Sequence, residues 1–87
     1  MRLLIAEDDV RLLKSLMHIF RTHNYSVDGV DNSNDELKYA LSGEYDGLIF
    51  DIMMPGCDGI EVLKELRQML ITTPALFLTA RTESLNA

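Results

Sequence analysis

The chain has 87 residues, of which 8 are Lys or Arg and 14 are Asp or Glu, giving a formal charge of −6. That length holds one domain and excludes a second folded unit, and the acidic balance argues against direct binding to a phosphate backbone. Hydrophobic residues at 47% and charged residues at 25% are the proportions of a folding globular chain, not of a disordered one.

The single Cys57 excludes an internal disulfide and a multi-cysteine zinc site. No apolar run approaches the ~18–20 residues of a membrane span, and the opening Met-Arg-Leu-Leu-Ile is no signal peptide. These features predict a soluble protein in a reducing, cytoplasmic setting.

Arg2 to Ala6 is an apolar run that stops at three consecutive acids, Glu7, Asp8 and Asp9, as a buried strand does at its carboxyl end. From Val10, apolar residues recur at Leu13, Leu16, Met17 and Phe20, with Leu12 and Ile19 widening the stripe. That spacing predicts a helix ending near His23-Asn24. Tyr25 to Val30 reads as a second strand before the loop Asp31-Asn32-Ser33-Asn34. Ser33 and Glu36 have capping-box spacing, Leu37, Ala40 and Leu41 follow, and Gly43 is expected as a left-handed stop.

Gly47 to Phe50 is again continuously apolar and ends at Asp51, repeating the pattern of the first strand. Pro55 to Gly59 is turn chemistry. Asp58 and Glu61 repeat the capping-box spacing ahead of an apolar stripe of Val62, Leu63, Leu66, Met69 and Leu70. Pro74 opens a fourth strand, Ala75 to Leu78, ending at Thr79. Three strand-helix units and one more strand predict an α/β, doubly wound parallel sheet with helices on both faces. Right-handed crossovers gather the carboxyl ends of the strands at one edge, where such sheets bind ligands.

Strand ends thus deliver Glu7, Asp8, Asp9, Asp51 and Thr79 to one rim. Crowded carboxylates destabilise one another unless a cation neutralises them. Mg2+ takes oxygen ligands and keeps positions open for a phosphoryl oxygen, which points to phosphoryl chemistry with Asp51 as nucleophile and Thr79 as hydroxyl donor.

The blocks Leu3-Leu4-Ile5-Ala6-Glu7-Asp8-Asp9, Asp46 to Gly59 and Leu78-Thr79-Ala80-Arg81 resemble the receiver domain of two-component response regulators, with the flavour of the winged-helix transcription-factor branch. The resemblance covers nearly the whole chain and implies a flavodoxin-like fold. It places the phosphoacceptor at Asp51, a direct Mg2+ ligand at Asp8, a supporting acid at Glu7, a backbone carbonyl ligand at Met53 and the switch hydroxyl at Thr79. Met53 and Arg81 occupy positions that tune the lifetime of the phosphoryl group. The implied partner is a sensor histidine kinase.

The last lysine is Lys64, whereas the family continues through a fourth helix, a fifth strand carrying a Lys-Pro pair and a fifth helix. Residues 1–87 are therefore read as a partial receiver domain without an effector domain, with four of five strands and three helices plus a possible start of the fourth. Loss of cover over the fourth strand predicts completion by self-association or domain swapping.

Several rival readings are weaker. The residues after Asp51 are Ile-Met-Met-Pro, not the alternating oxygen ligands of a calcium loop. A phosphatase of the haloacid-dehalogenase type would need a second acid where Met53 stands, and no phosphate-cradling Gly-x-x-x-x-Gly-Lys motif occurs. His18 and His23 read as solvated or structural. The alternative function is a self-associating interaction module without phosphotransfer.

Overall fold

The computed structural model describes residues 1–54 and 57–78, and of Cys57 the backbone alone. In it β1 spans Arg2–Ala6, α1 Val10–Thr22, β2 Ser26–Val30, α2 Ser33–Ser42 and β3 Gly47–Asp51. Two short strands follow, β4 at Met53–Met54 and β5 at Cys57–Asp58, then α3 at Gly59–Gln68 and β6 at Ala75–Leu78. The main sheet has four parallel strands in the order β2-β1-β3-β6, the doubly wound class that the sequence predicts. Thr79 and Arg81 lie outside the described residues.

Alternation along the strands sorts two cores. Leu3, Ile5, Val27 and Ile49 face α1 and meet Leu13, Leu16, Met17 and Phe20. Leu4, Ala6, Val30, Leu48 and Phe50 face the other way and pack with Ala40 of α2 and Val62 and Leu66 of α3. The near-continuous apolar character of β1 and β3 follows, since both faces of a central parallel strand are covered. Phe50, Leu4 and Ile5 are fully buried, each contributing about 1.5–3 kcal/mol of transfer free energy.

At the amino edge of the sheet, polar groups form a clasp. The Arg2 guanidinium donates to Asp28 Oδ2 at 3.0 Å and lies 4.8 Å over the Tyr45 ring, while the Tyr45 hydroxyl donates to the same Asp28 oxygen at 2.6 Å. The Tyr45 hydroxyl bond, reinforced by Arg2, pulls the Asp28 carboxyl below its ordinary range. Burial and that same carboxylate push the Tyr45 phenol up to about 12. The Arg2 backbone N–H also donates to Asp46 Oδ2 at 2.8 Å, which ties the start of β1 to the start of β3.

Several local expectations are corrected. Gly43 is extended (φ −89°, ψ 153°), not left-handed. Its lack of a side chain serves instead to let the Tyr45 ring pass, since an added Cβ would collide with that ring. The cap of α2 is Asn32, not Ser33: its side-chain oxygen accepts the Asp35 N–H at 2.9 Å and its amide nitrogen donates to Asp35 Oδ2 at 2.9 Å. Glu36 is thereby released from capping and is buried.

Leu12 and Ile19 are exposed, so the buried stripe of α1 is narrower than predicted. The stripe of α3 stops at Leu66, because the helix ends at Gln68 and Leu70 turns out in a left-handed conformation (φ 64°), leaving Met69 and Leu70 exposed. The Arg67 guanidinium fastens that exit by donating to the carbonyls of Ile71 at 2.7 Å and Thr73 at 2.9 Å. The β4–β5 hairpin stands where the sequence predicts only a turn.

Substituting Gly43→Ala is expected to cost about 1–3 kcal/mol by overpacking against the ring. In a Tyr45→Ala background the same substitution should cost almost nothing. Urea unfolding of the four-variant cycle measures this coupling.

Candidate functional site at the carboxyl edge

Pairing of β1 with β3 sets Ala6 opposite Phe50, so the residues that follow, Glu7 and Asp8, emerge beside Asp51. The Glu7 N–H still donates to the Val30 carbonyl at 3.0 Å, which prolongs strand pairing by one residue and draws the Glu7 side chain under the rim, where it is 5% exposed. One carboxylate oxygen from each of Glu7, Asp8 and Asp51 lies within 4.8 Å of the others. Among the described residues no Lys or Arg forms an ion pair with any of the three.

Asp9 departs from this group. Its carboxylate caps α1, accepting the N–H groups of Arg11 at 3.0 Å and Leu12 at 3.2 Å, a stabilising use of an acid at a helix N-terminus. The four carboxylates expected at the rim are therefore three site acids and one helix cap.

Asp51 ends β3, where its Oδ1 accepts the Met53 N–H at 3.3 Å. The backbone of the next residue, Ile52, is pinned through both its N–H and its carbonyl. The Ile52 N–H donates to the Leu78 carbonyl at 3.2 Å and the Gly59 N–H to the Ile52 carbonyl at 2.9 Å. A Cβ on Gly59 would strike the Asp51 carbonyl oxygen, so this glycine is what lets the first turn of α3 close against the site. In the sequence Gly59 reads as turn chemistry and as the end of the Asp46 to Gly59 block, neither of which shows this close approach. Asp58 caps the same helix, accepting the Ile60 N–H at 2.8 Å.

Burial is the main force raising the Glu7 carboxyl to about 7, aided by hydrogen bonding to Asp51 and Asp8 and opposed by the Asp9 N–H, which donates to Glu7 Oε2 at 3.2 Å. Behind the rim a second acid, Glu36, is fully buried with neither carboxylate oxygen hydrogen-bonded. Desolvation, and secondarily the charge of Asp51, raises it to about 7. The signal for Glu36 was present in its spacing to Ala40, one helical turn on, which places both on one face. Met53 is about half exposed at the mouth of the site, and Thr79 falls outside the described residues although β6 runs up to Leu78 directly opposite Asp51.

A rim of strand-end carboxylates on this fold narrows the possibilities, and comparison with known proteins decides among them. The sequence pattern of the response regulator receiver domain matches residues 3–87. The chain belongs to the response regulator receiver family. It is 38% identical over 84 residues to the transcriptional regulatory protein DltR of Streptococcus agalactiae, covering 97% of this chain and 38% of DltR. This receiver chain thus spans well under half the length of that relative.

Among solved structures, a Francisella response regulator receiver domain superposes with a TM-score of 0.89 at 29% identity, over 98% of this chain and 70% of that one. TrrA of Thermotoga maritima, solved with Mg2+ and BeF, superposes with a TM-score of 0.83 at 32% identity, over 98% of this chain and 74% of that one. TrrA has also been solved in complex with the histidine kinase ThkA, where the match is 34% identical with a TM-score of 0.83, over 91% of this chain and 68% of that one.

The three site acids of the receiver repel one another in the absence of a counter-ion. With Glu7 raised to about 7, the stability that its proton supplies is complete below the unfolded carboxyl range and is lost as pH rises through about 7. In metal-free buffer at pH ~8, Asp51→Asn should therefore stabilise the chain by on the order of 1 kcal/mol. The gain should shrink in mildly acidic buffer. Thermal unfolding followed by circular dichroism in the two buffers measures the difference.

Proposed function

We propose that this chain is the phosphoacceptor of a two-component response regulator, with Asp51 as the residue that takes the phosphoryl group. The observation that carries the reading is the convergence of Glu7, Asp8 and Asp51 at the strand edge where α/β sheets place their chemistry. An Asp51 oxygen attacks phosphorus in line. The new O–P bond forms as the bond from phosphorus to the donor nitrogen of a kinase phosphohistidine breaks, and the leaving imidazole keeps the electron pair and is protonated.

A set of three carboxylates with no basic partner among the described residues suits a hard divalent cation. Asp8 and Asp51 would hold Mg2+ directly, with the Met53 carbonyl as a further ligand and Glu7 supporting. When bound, the ion supplies positive charge to the transferring phosphoryl oxygens. Thr79 is proposed as the hydroxyl that hydrogen-bonds the phosphorylated site. The exposed Val10 and Leu12 in the first turn of α1, next to the Asp9 cap, offer an apolar contact for the sensor histidine kinase, and the ThkA–TrrA complex supports a partner of that class. The names of relatives such as DltR support a transcriptional output in a longer protein, and no helix among the described residues is long and apolar enough to cross a membrane.

The outer edge of β6 pairs with nothing among the described residues, and its Leu76 is 63% exposed. We propose that this edge pairs with a second copy of the chain. Sedimentation at micromolar concentration should give a dimer or larger species, and a monomer would discard the pairing.

Incubation with acetyl phosphate and Mg2+ is expected to add one phosphoryl group, read by intact mass. The adduct should be absent from Asp51→Asn and after chelation of the metal. A folded chain that gains no mass would favour the interaction-module reading.

A further inference from the structure

Among the described residues the main sheet ends in β2 on one side and β6 on the other, and the two outer edges are built differently. Backbone groups alternate in direction along a strand. The Ser26 N–H donates to the Met1 carbonyl and the Val30 carbonyl accepts from the Glu7 N–H, both at 3.0 Å, so Ser26, Asp28 and Val30 turn their backbone groups towards β1. Val27 and Gly29 turn theirs outward. The outward Val27 carbonyl is already taken, since Arg21 Nη2 donates to it at 3.0 Å.

Gly29 is what lets α1 come so close to this edge. A Cβ there would strike Met17 Sδ and crowd Leu13 Cδ1, so the helix settles over the glycine, and Arg21, one turn after Met17, reaches the strand. Lys14 and His18 stand with Arg21 along an open hollow of about 400 Å3 that Leu13 and Met17 also line. No acid occurs in α1, and neither Lys14 nor Arg21 forms an ion pair among the described residues. The β2 edge is thus flanked by positive charge in a chain whose net charge is −6. At β6 the character is reversed. Leu76 is exposed, and the hollow of about 300 Å3 that it lines with Leu3, Phe20 and Ile49 has no charged side chain in its wall.

We propose that Arg21 closes the β2 edge to a second copy of the chain, so that self-association is confined to β6 and ends at a pair. The proposal rests on the β6 pairing put forward above and adds its geometry. Two β2 edges brought together would set Lys14 and Arg21 of each copy against those of the other. A β2 edge laid on β6 would pull the Arg21 guanidinium from its carbonyl and bury it among apolar groups. Two β6 edges meet apolar to apolar about a twofold axis, which consumes the edge and leaves nothing to extend. An open β2 would instead join β6 of the next copy in a row without end.

The test is sedimentation velocity of the wild type, Arg21→Met and Arg11→Met over a range of concentrations. Methionine keeps a long, helix-favouring stem while removing both donor and charge. Arg11→Met makes the same exchange at an exposed position of α1 whose side chain has no hydrogen bond to β2, and so controls for added stickiness. Arg21→Met is expected to at least about double the mean mass of the wild type and to keep growing with concentration, whereas Arg11→Met should sediment as the wild type does. Arg21→Ala is read in the same way if circular dichroism shows the methionine variant to be unfolded. An Arg21 variant that is folded and no larger than the wild type overturns the proposal, as does equal growth of Arg11→Met or a wild type that itself grows without limit. A monomeric wild type discards the β6 pairing alone. The role of Arg21 is then judged by whether its variants associate, so the two readings fail separately.

Discussion

The register of β1 on β3 is the constraint from which the site follows. With Ala6 opposite Phe50, the next residues of each strand are acids, and the pairing that buries Leu4, Ile5 and Phe50 is what forces Glu7 and Asp8 towards Asp51. A slip by one residue would exchange the residues that enter the two cores, sending Ile5 and Ile49 to the side now filled by Leu4 and Phe50 and misfitting both. The hydrophobic pattern therefore holds the carboxylates together against their own repulsion.

That repulsion is answered in two ways. Asp9 is removed from it by serving α1 as a cap, and Glu7, under the rim, is raised to about 7 so that its charge is partly withheld. Glu36 extends the same logic one layer deeper, since burial raises it as well. Burial thus raises an acid at each of two depths, one covered at the rim and one enclosed behind it.

Much of this was legible in the sequence for a physical reason. A parallel strand covered on both faces has to be apolar throughout, so its end is sharp, and Ala6-Glu7 and Phe50-Asp51 mark that end in the residues themselves. What was less legible depended on competition between neighbours. Ser33 and Glu36 have the spacing of a capping box, but Asn32 with Asp35 supplies a closed pair of hydrogen bonds one residue earlier, and the loser, Glu36, goes inward. Gly43 matched a helix stop in type, yet its role is set by Tyr45, two residues on. Met69 and Leu70 kept helical spacing after the helix had ended, because spacing does not register the left-handed turn at Leu70. Gly59 lay inside a recognised turn, but only the three-dimensional approach to the Asp51 carbonyl shows why no larger residue suits that position.

The Arg2, Asp28 and Tyr45 clasp gives the sheet a mechanical polarity. One end of the strands is stapled by a cation over a ring and two hydrogen bonds to a single carboxylate oxygen, whereas the opposite end carries like charges. The two ends of the strands are therefore held by different means: at the amino edge opposite charges share one oxygen, while at the carboxyl edge cohesion comes from strand pairing and the apolar faces alone.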